Sequence, residues 1–258
     1  MKKFFVLLSL FILTSLSALS KDMQFVQISD LRYSQNNSDV LRKIINDVNK
    51  LPDTEFVIFT GDNISEAKPE ILTDFIKELK ALKKQYYIVI GEKDVNARKD
   101  LSKKQYVSIL HKKIRRYKPT TPNYVFIKHD VLFIIADGSK DVIPDSLGFY
   151  KDGVLEWIDA NLEVYSDKNA IIVQHFPLVA PYEKETYRTY KADKYLDMLK
   201  NHKNIKAVIS GHYGVNKEQT QDEILHITTA PAPQYRIIDI LNYETKNPEI
   251  WSVVKESK

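Results

Sequence analysis

The sequence predicts an α/β protein, and two observations carry that reading. Short apolar runs of strand length alternate with amphipathic stretches of helical period, and several of the runs end in polar segments built on glycine or aspartate. The alternation runs from Met23 without an internal repeat, a low-complexity tract or a long Gly/Ser linker, so 21–258 reads as one domain. With 43% hydrophobic and 28% charged residues, the chain is neither a disordered polymer nor a collagen-like repeat. Cysteine is absent, which excludes disulfides, thiolate metal sites and cysteine nucleophiles together.

The first element is an expected export signal over 1–20. Lys2 and Lys3 precede an apolar run from Phe4 to Leu16, and Ala18-Leu19-Ser20 offers a small-residue cleavage site before Lys21-Asp22. The apolar run is shorter than the ~20 residues of a membrane span, so the expectation is a secreted or periplasmic protein with no stable membrane span after cleavage. Strands are expected at Gln24–Ser29, Glu55–Thr60, Tyr86–Ile90, Tyr124–Lys128, Val131–Ala136, Ala170–Gln174, Ala207–Ser210, Ile224–Thr228 and Tyr235–Leu241.

Helices fill the gaps. Val40, Leu41, Ile44, Ile45 and Val48 share one face, as do Ile71, Leu72, Phe75, Ile76, Leu79 and Leu82 behind Pro69, which suits a first helical turn. Two more are expected around 155–165 and 192–201. The stretch 98–118 carries nine Lys/Arg against Asp100 alone and reads as a solvated helix face, with a basic rim attracting an anionic substrate as its functional alternative. The net charge of +4 includes Lys2 and Lys3 and gives no ground for a nucleic-acid partner.

Three of the seven glycines follow expected strands directly, in Thr60-Gly61-Asp62-Asn63, Ile90-Gly91-Glu92-Lys93-Asp94 and Ser210-Gly211-His212-Tyr213-Gly214. Two other strands end as Ser29-Asp30-Leu31-Arg32 and Gln174-His175-Phe176-Pro177. The C-terminal edge of an open α/β sheet is where ligands bind. Asp30, Asp62, Glu92, His175 and His212 therefore gather at one edge as an oxygen and nitrogen donor set for a divalent metal. Each alone is more often a turn, cap or core residue; five in the same place in successive units make a site.

In order and spacing these motifs resemble the calcineurin-like metallophosphoesterases, from about Met23 to Ile240. The resemblance implies a four-layer α/β/β/α sandwich, two metals at the strand ends and hydrolysis of phosphate esters. It also implies roles by position. The first metal would use Asp30, Asp62 and two histidines, but Arg32 and Gly214 stand where those histidines belong, so that site is expected to be lost, with the Arg32 guanidinium bridging Asp30 and Asp62. The second would use Asp62, Glu92, His175 and His212, with Glu92 in place of an asparagine. The expected cofactor is one divalent ion, zinc, manganese or iron, rather than two. An alternative pairs Glu92 with Arg32 or Lys93 in a metal-free cluster.

Lys93 replaces the family's leaving-group histidine, and a lysine donates a proton near neutral pH only with a pKa far below ~10.4. Arg32 and Lys93 are the catalytic candidates, as stabilisers of phosphoryl charge. Asp94 reads as a turn or supporting residue, and His226 as structural. Two functional expectations follow: a phosphoesterase acting on phosphate mono- or diesters, or an inactive relative that binds a phosphorylated ligand or protein partner. Loops 98–122 and 181–194 are the expected recognition segments. Oligomeric state is not readable from this pattern.

Overall fold

The computed structural model describes residues 21–142, 146–182 and 187–258. The expected export signal over 1–20 lies outside them, as does part of the 181–194 segment. Eleven strands and five α-helices are described: β1 (Met23–Ile28), α1 (Ser38–Asn49), β2 (Thr54–Thr60), α2 (Pro69–Glu78), β3 (Gln85–Val89), α3 (Lys103–Lys113), β4 (Tyr124–Lys128), β5 (Val131–Ala136), α4 (Asp152–Val164), β6 (Asn169–Gln174), α5 (Ala192–Leu199), β7 (Ile205–Ser210), β8 (Lys217–Gln221), β9 (Ile224–Thr228), β10 (Gln234–Leu241) and β11 (Glu249–Glu256).

They form two mixed sheets, ordered β11-β10-β1-β2-β3 and β4-β5-β6-β7-β9-β8. Within the first, β1, β2 and β3 run parallel; within the second, β5, β6, β7 and β9 do. Their C-terminal ends carry the five motif turns.

Three apolar clusters define four layers. Val26, Ile28, Val57 and Phe59 on one face of the first sheet meet Leu41, Ile44, Leu72 and Phe75 of α1 and α2 and Tyr106 and Leu110 of α3. On the outer face of the second sheet, Ile134, Ile172 and Val208 meet Ile158, Leu162, Tyr195 and Leu199 of α4 and α5. Phe25, Phe56 and Ile58 meet Phe133, Val173 and Ile209 between the sheets. Because β2 and β6 are covered on both faces, their sequences read as continuous apolar runs rather than alternating ones.

Helix ends follow local chemistry. Pro69 starts α2, and Ser102 caps α3 by accepting from the Gln105 N–H. The expected strands and the helices around 40–48, 71–82, 155–165 and 192–201 are present with small boundary shifts. Three features differ from expectation. The basic run contains α3, whose Tyr106, Val107 and Leu110 are buried, so its charge decorates a core helix rather than a wholly solvated one. Within it Lys103 turns inward, its Nζ 2.5 Å from Asp137. Strands β8 and β11 were not expected: β8 (Lys-Glu-Gln-Thr-Gln) has no apolar residue, and β11 is largely exposed. Among the described residues no helix is long and apolar enough to cross a membrane.

Candidate metal centre

The five donor residues come together where β1, β2, β3, β6 and β7 end. Their turns are tight enough to force unusual backbone. Asp30, Arg32, Asp62 and His212 all have positive φ, at 47°, 47°, 50° and 66°. Non-glycine residues seldom occupy that region, and a cluster of them marks a place where surrounding contacts outweigh strain. Gly61 has φ 96°, and a Cβ there would sit 2.4 Å from His175 Nδ1, so only glycine lets the β2 turn lie against the imidazole.

The two imidazoles are oriented from behind. His175 Nδ1 donates to the Thr60 carbonyl at 2.8 Å, and His212 Nε2 donates to the Ser146 carbonyl at 2.8 Å. A carbonyl only accepts, so in neutral rings the opposite nitrogens carry lone pairs. Those nitrogens, His175 Nε2 and His212 Nδ1, face each other at 3.2 Å. Glu92 Oε2 lies 2.8 Å from the first and 3.2 Å from the second. Asp62 Oδ1 lies 3.6 Å from His175 Nε2 and accepts the Lys93 backbone N–H at 2.9 Å. Converging lone pairs repel unless a proton or a cation stands among them, and carbonyl-backed imidazoles beside carboxylates are how proteins preset a metal site.

Beside this group, Arg32 occupies the neighbouring position. Its Nη2 is 3.4 Å from Asp30 Oδ1 and its Nε 3.6 Å from Asp62 Oδ2. Asp30 is held further by the Ser29 hydroxyl at 2.5 Å and the His212 N–H at 2.8 Å, both donating to Oδ2. Asp62 Oδ2 is buried with no hydrogen-bond partner, so it has an open lone pair beside a cation and two imidazoles. Two overlapping donor groups result: Glu92, His175 and His212, and Asp30, Asp62 and His175. The first, extended by Asp62, fits one divalent ion by donor type and direction; the second already contains the Arg32 charge.

Electrostatics agree with that geometry. Burial, reinforced by Glu92 and Asp30, pushes the Asp62 carboxyl up to about 6 against the opposing pull of His175. Burial acts to lower His175, yet Asp62 and Glu92 overcome it and raise the imidazole to about 10, so without a metal a proton takes the place of the cation. Burial acts to raise Glu92, but its close contacts with His175 and His212 hold it well below the carboxylate range.

Glu92 pairs with the two histidines, not with Arg32 or Lys93, which corrects the alternative weighed from sequence. The Lys93 side chain is exposed and, with Glu92, Lys68, Lys99 and Ser146, lines an adjoining cleft of about 320 Å³. Asp94 is fully buried and accepts from the Gly91 and Ile64 N–H groups and the Asn63 amide, supporting the β3 turn. His226 is buried on β9, away from these turns. Sequence reasoning missed Ser146 and Thr60, which act through main-chain carbonyls and leave no side-chain signal; Ser29, by contrast, adjoins a motif aspartate.

A family model described as calcineurin-like phosphoesterase matches residues 23–215. No curated protein matches the chain. Among solved structures, the chain is similar to a dimetal phosphatase from Danio rerio, at 14% identity and a TM-score of 0.67 over 92% of this chain and 99% of that one. It is similar also to GAP50, described as the anchor in the inner membrane complex of Plasmodium, at 16% identity and a TM-score of 0.61 over 92% and 85%. A third is a purple acid phosphatase from yellow lupin (Lupinus luteus), at 12% identity and a TM-score of 0.62, where the match covers 92% of this chain and 52% of the other. At these identities the three likenesses establish the fold.

Proposed function

The chain belongs to the calcineurin-like phosphoesterase family, and from that premise we propose that it is an exported hydrolase of phosphate mono- or diesters working with one divalent ion. The observation that carries the reading is the facing of His175 Nε2, His212 Nδ1 and Glu92 Oε2 beside Asp62 Oδ2, which is buried without a hydrogen-bond partner. Asp62, Glu92, His175 and His212 would hold zinc, manganese or iron. Bound there, the ion supplies Lewis-acid charge and a water of lowered pKa. Arg32 gives the fixed positive charge that the family draws from a second metal, and it suits the equatorial oxygens of a transferring phosphoryl group. Lys93, at the mouth of the cleft, adds charge toward the leaving side but no ready proton.

One observation favours a second reading, a relative that binds a phosphorylated ligand or protein partner without turnover: Arg32 already neutralises Asp30 and Asp62. Metal analysis by mass spectrometry on protein purified without chelator, paired with hydrolysis of a chromogenic phosphodiester under zinc, manganese and iron, separates the two. The hydrolase reading expects about one metal per chain and turnover that Asp62→Ala abolishes, with most metal retained in Asp30→Ala. A folded protein with neither metal nor turnover assigns the second reading.

A further inference from the structure

Edge strand β11 has the wrong chemistry for solvent. Edge strands are ordinarily blunted by proline, bulges, charged side chains or brevity, and β11 carries charge only at its two ends. Here β11 is eight residues long, without proline, and pairs with β10 in unbroken register from Gln234↔Glu256 to Leu241↔Glu249. Its exposed residues include Trp251 at 61% and Val253 at 49% on the outer face and Val254 at 37% on the other. Strand β8, the comparable edge of the other sheet, carries only polar residues. The two edges lie side by side, joined where Glu218 of β8 accepts from Arg236 and Ser252.

The order of residues along β11 says what fits it. In a continuous sheet built by a two-fold axis perpendicular to its plane, the strands run antiparallel and residues of the same face must meet, so the axis passes through a residue rather than between two. An axis through Ser252 sets Trp251 against Val253, Ile250 against Val254 and Glu249 against Lys255, each twice. Trp251 and Val253 then form an apolar row on the outer face, closed at both ends by an ion pair. Shifting the axis to residue 251 sets Glu249 against Val253, and shifting it to residue 253 sets Trp251 against Lys255; both lose the ion pairs. Neither Glu249 nor Lys255 has an ion-pair partner among the described residues of its own chain. We propose that β11 pairs antiparallel with β11 of a second copy, centred on Ser252, joining two five-stranded sheets into one of ten strands.

Sedimentation of the folded protein across a concentration series tests the pairing, with the expected result a species of twice the chain mass. Glu249→Lys and Lys255→Glu each place like charges opposite one another twice and weaken association about tenfold, whereas the double exchange restores it. Val253→Lys abolishes it. Since the chain lacks cysteine, Ser252→Cys reports the register directly, because directly opposed residues have Cα atoms about 4.5–5.5 Å apart, within disulfide reach. Mild oxidation then yields a covalent dimer, while Val254→Cys, offset from its own copy by about 13 Å, does not cross-link. A monomer at every concentration, or failure of the double exchange to restore association in variants with native circular dichroism, overturns the proposal.

Discussion

At the scale of single residues, Arg32 sets a fixed positive charge beside two buried carboxylates of the candidate site. A histidine there would complete a metal site; an arginine cannot ligate, and its guanidinium instead lies 3.4 Å from Asp30 and 3.6 Å from Asp62, both fully buried as side chains. Arg32→Ala would leave two buried carboxylates facing each other. Because the arginine side chain is itself 46% exposed, the loss is smaller than for a fully buried pair, roughly 1–2 kcal/mol. Urea unfolding at pH 7 should show the midpoint falling in Arg32→Ala and only partly recovered in Arg32→Lys, which keeps charge without the fork. The carboxylate and imidazole positions were legible in sequence because each follows an apolar run directly. Their backbone was not: nothing in Ser29-Asp30-Leu31-Arg32 announces two left-handed residues. Gly214 adds a related lesson. There is open space around it, yet its φ of 79° disfavours any side chain, so restoring a histidine there requires the turn to move.

At the scale of an element, β9 shows what burial does to a polar residue with no role in the site. Leu225 and Ile227 face the core between the sheets and Ile224 the helix-covered face, so the two-residue strand period puts His226 under the helices. Its Nε2 is buried without a hydrogen-bond partner, and burial lowers the imidazole pKa to about 4. The unfolded chain binds a proton near 6.5 and the folded chain does not until about 4, so between those values the unfolded state holds more protons. This contribution is therefore complete above pH 6.5 and falls away as pH drops toward 4, by on the order of 3 kcal/mol. Comparing the native chain with His226→Leu by chemical unfolding at pH 7.5 and pH 4.5 isolates it, and the native chain should lose more stability on acidification. Periodicity made most elements readable from sequence. It failed where periodicity is absent or masked: β8 has no apolar residue, β11 shows its apolar residues to solvent, and the lysines of α3 hide the Tyr106, Val107 and Leu110 stripe.

At the scale of the molecule, the candidate site is built across the joint between two sheets. Asp30, Asp62 and Glu92 follow strands of the first, His175 and His212 strands of the second, and behind them the sheets meet through Phe133, which packs edge to face at 5.4–5.6 Å on Phe25 and Phe56, themselves stacked at 5.0 Å. The four-layer arrangement was readable only through the family resemblance, since no local pattern reports which sheet a strand joins. An ion bridging the joint would bind the folded chain and not the unfolded one, so it should stabilise the protein by mass action, about 2.7 kcal/mol at a hundredfold excess over its dissociation constant. Phe133→Ala, fully buried between the sheets, should cost about 3–5 kcal/mol by leaving a cavity. Thermal unfolding with and without manganese or zinc separates the two effects. In Phe133→Ala the midpoint should be lower but the metal-induced rise retained, because the cavity lies in the inter-sheet core and the donors at the strand ends; in Asp62→Ala the rise should vanish. Loss of the rise in both variants would mean that the donor geometry depends on core packing as a whole, rather than being set by the turns that carry each ligand.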